Sequence, residues 1–163
     1  MRGAIVALVG PEVPFFLQLL VQAIVAEVRD AGAGDTATAA VARRAYREGL
    51  LGPDYRAPLD DFRGRMDRVY LPAEREVALV ILDALSRSGM GLGPHALREA
   101  VVSAGKDERL LERVLTLVEG DFYVMRREDG SYAFFNTFLA EWWRRFQTGL
   151  PFDPPPPQGH NPE

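Results

Sequence analysis

Apolar residues recur along most of the chain at the spacing of an α-helix. The stretch from residue 13 to residue 28 is apolar nearly throughout, with three polar interruptions. Pro14 fits the first turn of a helix, because the N–H that proline lacks has no intrahelical partner there. A helix in a small domain needs only one apolar stripe facing its core. The pattern therefore predicts a helix from Pro14 to about Arg29 with more apolar surface than one core needs.

Further helical patterns and one hairpin follow this first helix. Helical spacing continues over 36–51 and 59–71, and Pro72 opens a helix with a strong apolar stripe. After two more short helices, two β-prone runs enclose Asp129-Gly130, which is a strong signal for a hairpin turn. From Pro72 onwards the predicted order is helix, helix, helix, hairpin, helix. This order is typical of a winged helix-turn-helix.

These patterns predict a mainly α-helical fold in two parts, followed by a tail. Residues 1–58 form a small helical module. Residues 59–147 form a winged helix-turn-helix domain with a two-stranded β wing, in which 59–71 are a linker helix. Residues 148–163 contain six prolines, so we expect this tail to be extended or disordered. The first module is too small to cover all of its own apolar surface.

Composition argues against most catalytic and membrane functions. The chain has no cysteine and two histidines that lie far apart, so disulfides and thiolate metal sites are excluded and few other metal ligands remain. No serine has a neighbouring histidine and no G-x-S-x-G element is present, so we expect no enzymatic activity. The first apolar segment is too short for a membrane span and no secretory signal precedes it, so we expect a cytoplasmic protein without a membrane partner. A net charge of −4 argues against a protein that mainly coats nucleic acid.

Three blocks of the sequence resemble a known protein family. The blocks are LVGPEVPFFLQLLVQAIVAEV, PLDDFRGRMDRVY and LVEGDFYVMRREDGSYAFFNTFLAEWW, and the resemblance as a whole covers residues 4 to about 147. Their order resembles the region after the nucleotide-binding core of STAND-class, AAA-like signalling ATPases of bacteria and archaea, where a helical lid and a linker helix lead to a winged helix. The resemblance implies that residues 1–58 are lid-like and that the first helix packs against a P-loop ATPase core.

The phosphate-binding loop of such a core is absent from the sequence. That loop requires G-x-x-x-x-G-K-[ST], whereas the single lysine, Lys106, follows Gly105 but precedes Asp107, and residue 100 is alanine. We therefore expect this chain to bind no cofactor alone, and to contact ATP or ADP only when it is joined to an ATPase core.

The resemblance implies two nucleotide contacts in that joined state. In the family, a proline in the first lid element lies against the adenine or ribose, which points to Pro14. A polar residue, often histidine, at the start of the last helix reaches the phosphates, which points to Asn136. The residues themselves also fit plainer roles, because proline favours the first helical turn and asparagine is a good N-cap. Both interpretations of each residue stay open at this point.

The function that these patterns favour is regulatory interaction without catalysis. We expect the chain to dock on a P-loop ATPase domain, or to form a homo-oligomer, through its first helix, because large exposed apolar patches mark interfaces. Trp142 and Trp143 are adjacent, so we expect one to be buried and the other to be partly exposed at an interface. The predicted partner-binding residues are Phe15, Phe16, Leu17, Leu20, Ile24, Trp142 and Trp143.

A small DNA-binding winged-helix regulator is the alternative function, and a remnant of a larger gene is a third hypothesis. The helix in the recognition position carries acidic residues beside its basic ones, and carboxylates repel the phosphates that such a helix must approach. Two arginine pairs, in the wing and in the last helix, add positive charge. The candidate nucleic-acid contacts are Lys106, Arg109, Arg113, Arg126, Arg127, Arg144 and Arg145.

Overall fold

The computed structural model describes residues 14–30, 38–52 and 56–148, with side chains for all of these except 14–16, 56–58, 61 and 62. The described part is mainly helical with a small antiparallel β-hairpin, as the sequence predicts. In chain order the elements are α1 (Pro14–Asp30), α2 (Ala39–Arg44), α3 (Arg56–Val69), α4 (Pro72–Ser88), α5 (Pro94–Ser103), α6 (Leu111–Gly120), β1 (Val124–Arg126), β2 (Tyr132–Phe134) and α7 (Thr137–Phe146).

Helices α1 and α2 form a helical hairpin. Helix α2 continues into a turn of π-helix, Ala45–Leu50, after which the N–H of Leu51 donates to the carbonyl of Tyr46 at 3.1 Å. Gly49 in this turn lies so close to α1 that a Cβ on it would be 3.3 Å from the Cβ of Ala23. Small residues at the contact therefore let the two helix backbones approach closely.

Helix α3 corresponds to the linker helix predicted over 59–71, and it begins a few residues earlier, at Arg56. The predicted division between residues 58 and 59 therefore falls within this helix. The tail predicted from residue 148 onwards lies outside the described residues, apart from Thr148 itself.

Helix α4 is the central element of the larger part, and it packs against α5, α6, α7 and β2. Pro72 occupies its first turn, and the carboxylate of Glu74 accepts the N–H of Leu71 at 3.1 Å, which satisfies a donor at the helix start. The helix ends at Gly89, whose φ of 66° is the left-handed conformation that glycine favours at a helix end. Its buried residues are Glu74, Val77, Ala78, Ile81, Leu82, Leu85 and Ser86.

Strands β1 and β2 pair antiparallel, with Met125 opposite Ala133. In the turn between them the N–H of Arg127 donates to the carbonyl of Ser131 at 2.8 Å, and Gly130 has a φ of 79°. The hairpin predicted from the Asp-Gly pair is therefore confirmed.

The loop after α4 is tied to this hairpin. Leu92 exchanges two backbone hydrogen bonds with Tyr132 of β2, each 2.8 Å long. Gly91 stands beside this bridge with a φ of 97°, and a Cβ there would lie 2.7 Å from the carbonyl oxygen of Tyr132. Glycine at position 91 is therefore required both by its backbone conformation and by the close approach of β2.

Helix α7 joins the two parts of the fold, because it is packed on two sides. On one side the indole N–H of Trp143 donates to Asp83 of α4 at 2.8 Å, and its ring lies beside Phe134 of β2. On another side the ring of Phe138 meets the ring of Tyr46, edge to face, with 5.9 Å between their centres. One apolar core therefore runs from the α1–α2 hairpin through α7 to α4 and the β-hairpin.

Candidate functional site

Helix α1 buries two of the residues predicted to bind a partner. Leu20 is fully buried and Ile24 is 6% exposed, because the α1–α2 hairpin encloses that face of the helix. Leu17 is half-buried. The side chains of Phe15 and Phe16 lie outside the described residues. Leu20 and Ile24 thus belong to the core of the chain itself, which corrects the expectation that they form an open docking surface.

The outward face of α1 carries two apolar residues that the partner-binding prediction omits. Val21 is 45% exposed and Val25 is 42% exposed, and they lie one helical turn apart. Gln18 and Gln22 are exposed on the same face. Gln18 and Gln22 are four residues apart, so they lie on one face of the helix and mark it as the outward face. Val21 and Val25 lie on that face too, so their exposure could have been predicted from the spacing of the glutamines.

Trp142 and Trp143 are both buried, at 1% and 0% exposure. The expectation that one of them is exposed is therefore wrong. Adjacent helical side chains do diverge, but α7 meets the α1–α2 hairpin through Phe138 and meets α4 and β2 through Trp143, so both directions are covered.

Two basic side chains of the predicted DNA-reading region are paired with carboxylates of α4. The Arg113 Nε lies 2.5 Å from Glu74 Oε1, and the Lys106 Nζ lies 3.0 Å from Glu76 Oε2. The Glu74 side chain is only 5% exposed, whereas that of Glu76 is 50% exposed. Carboxylates of the chain itself therefore occupy the places beside these two basic residues that nucleic-acid phosphates would take.

Arg109 is paired with Asp107 of its own turn. The guanidinium Nη2 lies 2.8 Å from Asp107 Oδ2, and hydrogen bonds from the Arg109 side chain and backbone hold the pKa of that carboxyl below its usual value. Glu108 and Glu112 stand exposed beside it. All three basic residues at this helix thus have a carboxylate of the same chain as partner, and further carboxylates surround them.

The two hairpin arginines face different neighbours. The Arg126 guanidinium carbon lies 6.0 Å from the centre of the Tyr132 ring, a cation–π distance. Arg127 donates from Nη1 to the carbonyl of Met90, in the loop after α4. Arg127 therefore closes the hairpin against that loop, while Arg126 lies over its own sheet.

The two arginines of α7 differ in exposure. Arg145 is exposed, and its guanidinium carbon lies 5.4 Å from the centre of the Phe146 ring. Arg144 is half-buried. Both carry positive charge at the C-terminal end of α7, where it interacts favourably with the helix dipole.

Asn136 is the N-cap of α7. Its Oδ1 accepts the N–H of Leu139 at 2.7 Å, and the residue is 2% exposed. The capping interpretation is therefore confirmed, whereas contact with nucleotide phosphates stays a prediction. Pro14 begins α1, as predicted, but its side chain lies outside the described residues.

A polar contact joins the α1–α2 hairpin to α7. The Tyr46 hydroxyl donates to Glu141 Oε2 at 2.5 Å. Burial raises the pKa of the Glu141 carboxyl, although the hydrogen bond from Tyr46 opposes this change. Burial and the neighbouring carboxylate raise the pKa of Tyr46 above its usual value. The tyrosine hydroxyl consequently stays protonated and acts as the donor.

Within the described ranges, no group of three or more histidine, aspartate or glutamate side chains is placed to hold a metal ion. The helices of those same ranges include none with the length and apolar character needed to cross a membrane.

No family model, no curated protein and no solved structure matches the chain.

Proposed function

We propose that the chain is a non-catalytic regulatory module that acts by binding another protein, either a STAND-type P-loop ATPase domain or a second copy of itself. The observation that carries the proposal is the pair of exposed valines, Val21 and Val25, on the outward face of α1. Full burial of a valine side chain is worth about 1.5–3 kcal/mol. Two half-exposed valines one turn apart thus offer part of this gain to a partner that covers them.

The surroundings of the two valines suit an interface. Gln18 and Gln22 are exposed next to them and supply hydrogen-bonding groups, and protein interfaces combine an apolar centre with a polar rim of this kind. The choice of a STAND-type ATPase as partner rests on the resemblance of the three sequence blocks. Such a partner would supply the phosphate-binding loop that this sequence lacks.

We further propose that residues 59–147 are a winged-helix domain, with 59–71 as its linker helix, that serves protein contacts rather than DNA. The order of α4, α5, α6 and the β-hairpin supports this architecture, and Leu92 pairs with the hairpin edge as a third short strand would. The ion pairs of Lys106, Arg109 and Arg113 with carboxylates of the same chain support protein rather than DNA contacts, because the positive charge that DNA binding needs is already neutralised.

The test is the solution mass of the chain by light scattering over a concentration series. We expect a species larger than the monomer, and we expect Val21→Arg with Val25→Arg to dissociate it. Val102→Arg on α5 is the matched control, because Val102 is equally apolar and 53% exposed but lies on another helix. A wild-type chain that is monomeric at every concentration contradicts self-association and leaves docking on a separate ATPase domain.

A further inference from the structure

We propose that a cavity between the end of α4, the β-hairpin and the start of α7 is a carboxylate-binding site. The cavity has a volume of about 100 Å³, several times the ~10–15 Å³ that one water molecule needs. Gly89, Gly91, Arg127, Asn136 and Thr137 contribute to its wall. Three of these, Gly89, Arg127 and Thr137, are exposed, so the cavity opens to solvent.

Asn136 lines this cavity, and its buried amide group has two donors that are not used. Its Oδ1 is turned to the N–H of Leu139, which fixes the orientation of the amide group. Its Nδ2 is buried and has no hydrogen-bond partner among the described residues. A buried polar group without a partner costs free energy. An acceptor atom that enters the cavity and reaches Nδ2 would remove that cost.

Arg127 supplies a positive charge at the same cavity. A guanidinium has five N–H donors in a planar fork that matches the two oxygens of a carboxylate. The bond from Nη1 to the Met90 carbonyl uses one of them and holds the side chain over the loop that contains Gly91. Arg127 is therefore positioned before any ligand arrives.

The start of α7 adds a third favourable element. Thr137 is the first residue of this ten-residue helix and lies in the cavity wall. The first N–H groups of a helix have no intrahelical partner, and the N-terminal end of the helix dipole favours an anion. The unpartnered Asn136 amide, the Arg127 guanidinium and this helix start together favour a negatively charged acceptor.

The charge balance favours a carboxylate over a phosphate. Arg127 is the one formally charged residue that is seen in the described wall of the cavity, so it matches a ligand with a single negative charge. The C-terminal end of α4 reaches the same cavity at Leu85 and Gly89, and its carbonyl groups oppose further negative charge. An aspartate or glutamate side chain and a small organic acid both present the group that fits.

The site lies within one chain, so its test needs no partner protein. Acetate is titrated into the ¹⁵N-labelled chain, with sodium chloride at matched ionic strength as the reference. We expect saturable shifts of the Asn136 side-chain amide and of the Gly91 and Thr137 backbone amides, with a Kd on the order of 1 mM. Absence of saturable shifts in the wild-type chain overturns the proposal.

Two variants and one control assign the binding to this cavity. Asn136→Asp keeps an oxygen for the cap of α7, so the helix start stays intact, but it removes the amide donors and adds a negative charge, so acetate binding is lost. Arg127→Gln weakens binding about tenfold or more, as expected for a hydrogen bond to a charged group. Arg126→Gln, a change in the neighbouring arginine that lies over Tyr132, leaves binding unchanged. Equal acetate binding by wild type, Asn136→Asp and Arg127→Gln overturns the site.

Further probes distinguish the ligand class and its source. Inorganic phosphate is expected to bind more weakly than acetate, and tighter binding of phosphate overturns the carboxylate assignment. N-acetylaspartate amide presents the carboxylate on a peptide-like backbone. Tighter binding of this compound than of acetate supports a protein-borne carboxylate as the ligand, and equal binding supports a small organic acid.

Discussion

The Tyr46 hydroxyl donates a 2.5 Å hydrogen bond to the carboxylate of Glu141, a residue 95 positions further along the chain. Tyr46 lies in the π-helical turn after α2, where its ring also meets Phe138 edge to face. The two contacts fasten the α1–α2 hairpin to α7. The orientation of the outward valines of α1 relative to the rest of the chain thus depends on this pair.

Tyr46→Phe is expected to destabilise the chain by about 1–3 kcal/mol, because it leaves a half-buried carboxylate without its donor. Urea denaturation at neutral pH measures the free energy of unfolding. Tyr132→Phe is the control, because the Tyr132 hydroxyl makes no hydrogen bond to any of the described residues, and this change should cost clearly less. Equal losses in the two variants would show that the Glu141 contact contributes nothing.

Adding Glu141→Gln to Tyr46→Phe should recover part of the loss. The amide is neutral, so its burial without the tyrosine donor costs less than burial of a carboxylate. A double-mutant cycle on these two residues isolates the coupling between them. Additive effects of the two changes would contradict a direct interaction.

The buried tyrosines predict a loss of stability at high pH. Burial is the main cause that raises the pKa of Tyr46, Tyr70 and Tyr123 above the usual value of 10.0. Above that usual value the unfolded chain releases tyrosine protons that the folded chain retains, so the free energy of unfolding falls as pH rises. We expect phenolate absorbance to appear together with the loss of helical circular dichroism. Titration of all tyrosines near pH 10 in a chain that stays folded would contradict the burial of these hydroxyls.

Two ion pairs of α4 are expected to differ in their contribution to stability. Glu74 is buried, pairs with Arg113 and also accepts the N–H of Leu71, so Glu74→Ala should cost about 1–3 kcal/mol. Glu76 pairs with Lys106 at the surface, and Glu76→Ala should cost about 0–1 kcal/mol. Thermal or urea unfolding of the two variants side by side measures the difference. A loss for Glu76→Ala as large as that for Glu74→Ala would refute the distinction.

Local patterns predict the helices and the hairpin because their causes are local. Pro14 and Pro72 open α1 and α4 where the sequence places them, and Gly130 adopts the left-handed conformation that the turn requires. The capping role of Asn136 likewise follows from its place before the last helical run. These features depend on backbone geometry over a few residues.

Which side chains are buried or paired could not be predicted from local patterns. Burial of Leu20 depends on the approach of α1 to α2 and to the π-helical turn that follows it, which small residues such as Gly49 permit. Burial of Trp142 and Trp143 together depends on packing of α7 on two sides. The pairing of Arg113 with Glu74 joins residues 39 positions apart in the sequence. Residue spacing does not predict contacts over so large a sequence separation.

The last prediction concerns binding of nucleic acid, and it starts from the pairing of Arg113 with Glu74. Because Lys106, Arg109 and Arg113 are neutralised by the chain's own carboxylates, we expect no salt-dependent binding of duplex DNA by fluorescence anisotropy, even at low salt. Glu74→Gln with Glu76→Gln keeps an acceptor for the Leu71 N–H but removes two negative charges, so this variant should gain weak binding that salt abolishes. Wild-type binding that falls when Arg126 and Arg127 are both changed to glutamine would instead favour the DNA-binding alternative. In that case the ion pairs with the carboxylates of α4 would not be enough to keep the chain from binding DNA.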